Sequence, residues 1–296
     1  MKSIFKFVIL FAITVPLLAI MPASFYKGGA ESVEKDEVAQ VDLQEKLDDI
    51  DINDVKADPT KWAIIISPEF YDETDNVKFS SNSGKMFEEV ARKVLHVSER
   101  RTYALIGEDA TTGKIKNRLN KLMKFVREGD TIYFYYSGHG IPDIESKEPY
   151  ILPKDLDPAY VSDEKDFKLA NIYQRLQDSK AAKVIAFVDS CFSGATDNKT
   201  LFSGVAAPRI KSKTIKIDKT KMVVLTAGEG KQFSNMYKEK SMRMFSYFLI
   251  ENLLSGKKNI NDVFKATKEE VEKTSFELGD QYYQSPTIAG NENMKF

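Results

Sequence analysis

The only cysteine of the chain, Cys191, and one of its two histidines, His139, each follow an apolar run closely. Thr131-Ile132-Tyr133-Phe134-Tyr135-Tyr136 leads into Ser137-Gly138-His139-Gly140, and Val184-Ile185-Ala186-Phe187-Val188 leads into Asp189-Ser190-Cys191-Phe192-Ser193-Gly194. A thiol attacks best as thiolate, and a nearby imidazole lowers its pKa and later protonates a leaving amine. The pair therefore points to acyl transfer of the cysteine-protease kind. The oxyanion that develops in such a step needs preorganised donors, and the backbone N–H groups of Gly140 and Cys191 in the two converging turns are the candidates. Taken singly, a lone Cys is usually a small buried hydrophobe and a lone His structural. Their joint placement is what signals a site, with glycines beside both that let the backbone turn sharply. No third side chain suggests itself to orient His139. The other histidine, His96, follows a predicted helix and reads as a surface or capping residue.

Asp189 lies two residues before Cys191. In extended chain, residues two apart project to the same side, which would face a carboxylate toward the space of the nucleophile. Opposite charges about 4 Å apart interact by about 4 kcal/mol at an effective dielectric of 20, before desolvation. The expectation is a pocket that prefers a Lys or Arg side chain next to the scissile bond. The competing reading is an Asp that caps the following turn.

The elements that must position these residues begin at Trp62. Apolar runs at 62–66, 102–106, 131–136, 184–188 and 222–226 have the length and composition of strands covered on both faces. Helical stretches are predicted at about 83–95, 112–126, 168–178, 242–255 and 260–277; in the second, Ile115, Leu119, Leu122, Met123 and Val126 recur at spacings of three and four. Alternation of the two predicts an α/β fold, a three-layer α/β/α sandwich around a mostly parallel sheet. Sites in such sheets form beyond the carboxyl ends of the strands, where Cys191 and His139 both fall. A nucleotide-binding reading is weak, because Ser67-Pro68-Glu69-Phe70 after the first strand is no Gly-rich phosphate loop.

The 296 residues carry a net charge of −1, which gives no case for nucleic acid as a partner. One Cys excludes an intramolecular disulfide framework, and two His exclude a His-rich metal centre. Lys2 and Lys6 precede an uncharged stretch, 7–26, interrupted by Pro16 and Pro22. Residues 1–26 are therefore expected to be a signal peptide or an N-terminal membrane anchor, with the two lysines cytoplasmic and the remainder exported to a periplasmic or other extracytoplasmic space. Residues 27–60 hold 11 Asp or Glu against 4 Lys and read as an acidic solvated linker, with a short helix around Val41 to Leu47 and an inhibitory pro-segment as the sharper alternative. The folded domain is expected at 61–296.

Tyr135-Tyr136-Ser137-Gly138-His139-Gly140 followed by Val188-Asp189-Ser190-Cys191-Phe192-Ser193-Gly194 resembles the caspase-like peptidases, in particular their bacterial and metacaspase-type members. The similarity extends to Tyr150–Pro158, to Arg243–Leu249 and to Gln284–Asn291, and so spans about 61–296. The resemblance implies a caspase–haemoglobinase-type fold, His139 and Cys191 as the dyad, and hydrolysis of protein or peptide substrates through a thioester. It also implies cleavage after basic residues, since metacaspase-type enzymes carry Asp at the position of Asp189. Relatives of that type are often calcium-stimulated. Asp143, Glu145, Asp155 and Asp157 are available here but lack EF-hand spacing, so no metal and no cofactor is assigned. A basic stretch, with Arg209, Lys211, Lys213, Lys216, Lys219 and Lys221, lies where self-processing occurs in the resembled family, so Cys191-dependent nicking is expected within 208–221. The rivals are a catalytically inactive exported interaction module of the same fold, or a legumain-like or gingipain-like peptidase of the same clan. Nothing in the sequence separates monomer from dimer.

Overall fold

A computed structural model describes residues 43–192, 195–196, 199–200, 213, 215–229 and 232–296. The signal or anchor expected at 1–26, and the acidic segment as far as residue 42, lie outside the described residues. So do residues 208–212 and 214 of the segment in which self-processing is expected.

Six strands form the central sheet: β1 (Lys61–Ser67), β2 (Thr102–Ile106), β3 (Thr131–Ser137), β6 (Lys183–Asp189), β9 (Met222–Thr226) and β12 (Thr287–Gly290). Their order is β12-β9-β6-β3-β1-β2, parallel except for β12, which runs antiparallel to β9. Three short ribbons, β4 with β5 (Gly140–Pro142, Pro149–Ile151), β7 with β8 (Ala195–Thr196, Lys199–Thr200) and β10 with β11 (Met236–Tyr237, Met242–Arg243), stand outside it. The side-chain period of two splits each central strand between two apolar layers. Ala63, Ile65, Tyr133, Tyr135, Ile185 and Phe187 face one layer, and Trp62, Ile64, Ile66, Ile132, Phe134 and Tyr136 the other. Helices α2 (Ser80–Lys93), α5 (Met244–Leu254) and α6 (Ile260–Glu277) cover the first face, and α3 (Thr112–Phe125) and α4 (Leu169–Asp178) the second. This is the three-layer α/β/α sandwich that the alternation of elements predicts.

Two helix starts differ from the sequence expectation for a shared reason. α2 begins at Ser80 rather than near 83 because a remote carboxylate, Glu69, accepts from the N–H groups of Phe79 (3.1 Å) and Ser81 (3.0 Å). α5 begins at Met244 rather than 242 because Met242 and Arg243 pair with β10. In both cases the capping group comes from elsewhere in the chain, which local spacing does not reveal.

The described end of the acidic segment is not a solvated linker. Residues 43–48 form a helix, α1, whose Leu43 and Leu47 sit four apart on one face and are buried in the same layer as Val90, Leu95 and Val97. Lys93 Nζ donates to the carbonyl oxygen of Leu47 at 2.8 Å. Further on, Asp58 bridges to Val97 and its N–H donates to His96 O at 2.8 Å. The short helix expected around 41–47 is present; its docking escapes the charge-based reading because Glu45, Asp48 and Asp49 stay exposed and dominate the composition, while two leucines suffice to dock it.

Candidate active site

Cys191 and His139 stand just beyond the carboxyl ends of two adjacent central strands, β6 and β3, which are in register at Asp189 and Ser137. The two turns touch directly. Ser190 Oγ donates to the carbonyl oxygen of Gly138 at 2.9 Å, and Gly138 N–H donates to Asp189 O at 3.3 Å. Gly140 shows how close they are: a Cβ there would meet Phe192 at 2.5 Å, Ser190 Oγ at 2.6 Å and Cys191 O at 2.8 Å. Glycine is required at 140 by approach, since φ is not positive there. Leu152 N–H donates to His139 O at 3.2 Å, so residue 139 occupies the bonded register of the β4–β5 ribbon and the N–H of Gly140 points off it.

His139 is 2% exposed and held by groups that carry no sequence signature. Its Nε2 lies 2.6 Å from the carbonyl oxygen of Asp75. A carbonyl only accepts, so Nε2 carries the proton and Nδ1 keeps the lone pair that a general base needs. The His139 N–H donates to Tyr71 Oη (2.9 Å), whose ring lies 4.6 Å from the imidazole, and Tyr136 Oη donates to His139 O at 2.5 Å. The loop that supplies Tyr71 and Asp75 is tied down by Lys154, whose Nζ donates to Asp72 Oδ1 at 2.6 Å and pairs with Glu108 at 3.2 Å. Burial holds the imidazole pKa down to about 4; the Asp75 carbonyl acts in the opposite sense, and the charge of Arg243 adds to the lowering. His139 is thus a neutral base at neutral pH.

Cys191 is half-buried and its thiol donates to the carbonyl oxygen of Gln232 at 3.0 Å. Asp189, 1% exposed, ends β6 two residues earlier. Ser234 Oγ donates to its Oδ1, and the N–H and Oγ of Ser246 donate to its Oδ2 at 3.0 and 2.5 Å. Sequence reasoning missed Tyr71, Asp75, Gln232, Ser234, Ser246 and Arg243. One signal was available: Arg243 precedes α5 where a capping Ser, Thr, Asp or Asn is preferred, so the helix N-terminus needs a partner from outside.

The acidic candidates divide. Asp155 Oδ1 accepts from Thr112 N–H (2.7 Å) at the start of α3, and Asp157 Oδ1 from Ala159 N–H (2.8 Å), both capping roles. Asp143, Glu145 and Asp157 line a cavity of about 1030 Å³ together with Glu73, Asp75 and Lys168, behind the Asp75–His139 contact rather than over the thiol. Among the described residues no group of three or more His, Cys, Asp or Glu is arranged to hold a metal ion. None of the described helices is long and apolar enough to cross a membrane.

Residues 60–295 match the family model described as Caspase domain. The chain belongs to that family, and its class is that of the caspase-type cysteine peptidases. Among solved structures, the crystal structure of protein GSU0716 from Geobacter sulfurreducens is similar in fold, with a TM-score of 0.56 at 17% identity, over 78% of this chain and 93% of that one. No curated protein matches the sequence.

Proposed function

We propose that the protein is a cysteine endopeptidase of the metacaspase type that cleaves protein or peptide substrates after Lys or Arg, with Cys191 as nucleophile and His139 as base. The observation that carries the reading is the imidazole fixed through Nε2 by the Asp75 carbonyl, which leaves Nδ1 as a base on a turn packed against that of Cys191. In the first step the thiol exchanges its bond to Gln232 O for one to His139 Nδ1 and gives up its proton there. Sγ attacks the scissile carbonyl carbon, and the resulting oxyanion is received by the N–H groups of Gly140 and Cys191. Collapse expels the amine, which takes the proton from His139, and leaves a thioester. Water, deprotonated by the same imidazole, then releases the acid and restores the thiol. No metal or cofactor enters these steps. Asp189, which ends β6 two residues before the nucleophile, supplies the negative charge for a basic substrate side chain.

The test is peptide cleavage by the purified protein and by Cys191→Ala. Loss of activity in the variant, with labelling of Cys191 in the parent by a thiol-directed peptide probe, is expected; equal rates in the two would refute the assignment. We place the protein outside the cytoplasm, delivered by residues 1–26 as a cleaved signal or retained through residues 7–26 as a membrane anchor. The mass of the mature protein distinguishes these, and recovery of the full-length chain in the soluble cytoplasmic fraction would overturn both.

A further inference from the structure

Arg243 is a buried cation that the chemistry above does not use. It ends β11, precedes α5, and is 5% exposed. Its Nη2 donates to the carbonyl oxygen of Ser234 and, at 3.2 Å, to the Ser234 hydroxyl, the group that donates in turn to Asp189 Oδ1. Its Nε is buried with no hydrogen-bond partner among the described residues. Two residues before Ser234, the carbonyl of Gln232 receives the thiol of Cys191. The charge of Arg243 also acts on both His139 and Tyr71. The guanidinium therefore sits beside the segment that receives the nucleophile's thiol and beside Ser234, which bonds Asp189.

Packing alone does not account for this. Burying a guanidinium with one donor unpaired is unfavourable, and an aliphatic side chain would fill the volume without that penalty. The partners Arg243 does have are a carbonyl oxygen, a hydroxyl and, one hydroxyl further, a carboxylate. A pocket for a substrate arginine would offer the same set. We propose that Arg243 occupies the pocket as an internal stand-in for the basic side chain of the substrate, so that the fold described here is latent. This rests on the assignment of that pocket to Lys or Arg. A rotamer change at Arg243 breaks two hydrogen bonds to Ser234 and leaves the β10–β11 ladder intact, so the pocket opens without refolding.

The experiment compares the full chain with Arg243→Ala and Arg243→Gln. The second variant keeps most of the side-chain volume and guards against a folding failure in the first, with thermal unfolding recorded for both. Cleavage of fluorogenic peptides ending in Arg, Lys or Asp is measured with and without benzamidine, and benzamidine binding is measured by calorimetry. Both variants are expected to gain at least about tenfold in kcat/KM on Arg and Lys peptides, and to bind benzamidine where the parent does not. If the parent cleaves Arg peptides as fast as the variants and is equally inhibited by benzamidine, the plug is refuted while the peptidase reading stands. If the parent cleaves after Asp and the variants lose that activity, Arg243 is a substrate ligand, and both the plug and the basic specificity fall. If no protein cleaves any peptide, the peptidase reading fails, and calorimetry still decides: binding to the variants alone supports the occupied pocket, and binding to none refutes it.

Discussion

Asp189 closes the N-terminus of helix α5 from the neighbouring strand: its Oδ2 accepts both the N–H and the hydroxyl of Ser246. A carboxylate at that end satisfies an orphan donor and complements the positive pole of the helix. Together with Ser234 on Oδ1, this makes Asp189 a structural residue as well as the proposed pocket carboxylate. Asp189→Asn removes the charge and turns one acceptor into a donor that faces Ser234 or Ser246. The expected loss is about 2 kcal/mol of unfolding free energy, within the range for hydrogen bonds to charged groups. Urea unfolding in a Cys191→Ala background, which prevents self-cleavage, reads it. An unchanged midpoint would show that the cap is idle.

Tyr71 is predicted to position the base through the backbone. Its Oη is the acceptor for the buried His139 N–H, so Tyr71→Phe strands a donor, which costs about 1–3 kcal/mol. The readout that separates positioning from plain destabilisation is steady-state kinetics on folded protein. kcat should fall about tenfold or more with KM little altered, because misplacing a base affects the transition state and not substrate binding. A change confined to KM would place Tyr71 in the substrate pocket instead.

The buried imidazole fixes two pH dependences. The unfolded chain takes up a proton near the ordinary pKa of 6.5, and the folded chain refuses it until about 4. Stability is therefore unaffected by this residue above that window and falls as pH drops through it, by about 3 kcal/mol in all. His139→Gln in the Cys191→Ala background should abolish that part of the acid sensitivity. In the active enzyme, the acid limb of kcat/KM should lie well below 6.5, since the base stays neutral there. A limb at 6.5 would mean that the free enzyme exposes His139 to water.

Leu47→Ala tests whether the end of the acidic segment belongs to the domain. A fully buried leucine replaced by alanine costs about 2–5 kcal/mol. The same loss is expected when residues 1–60 are deleted and the remainder compared with a chain starting at 43. Equal stability of the two truncations would return the segment to the status of a linker.

Five of the six central strands were legible because they are apolar runs, but the edge strand β12, half-buried or exposed throughout, carries no such run. The turns carrying His139 and Cys191 were legible because parallel sheets gather the carboxyl ends of their strands on one side. What escaped was of another kind. Asp75 acts through a carbonyl, which every residue possesses. Ser234, Ser246 and Arg243 reach Asp189 and its surroundings across 45 or more residues of chain. The expected alternation of Asp189 and Cys191 did not anticipate the helix cap, because β6 ends at Asp189 and the thiol already belongs to the turn. The helix at 43–48 was expected, but its docking through Leu43 and Leu47 was hidden by the acidic residues around them.

The strand leading into the thiol's turn, β6, pairs on its far side with β9, and the segments supplying Gln232, Ser234, Ser246 and Arg243 are translated later still. A nascent chain therefore acquires its sulfur and its imidazole well before it can align, cap or shield them. Under the proposed chemistry, order of synthesis is a safety catch: until residues 232–246 have left the ribosome, the sulfur and the imidazole lack the partners that align them.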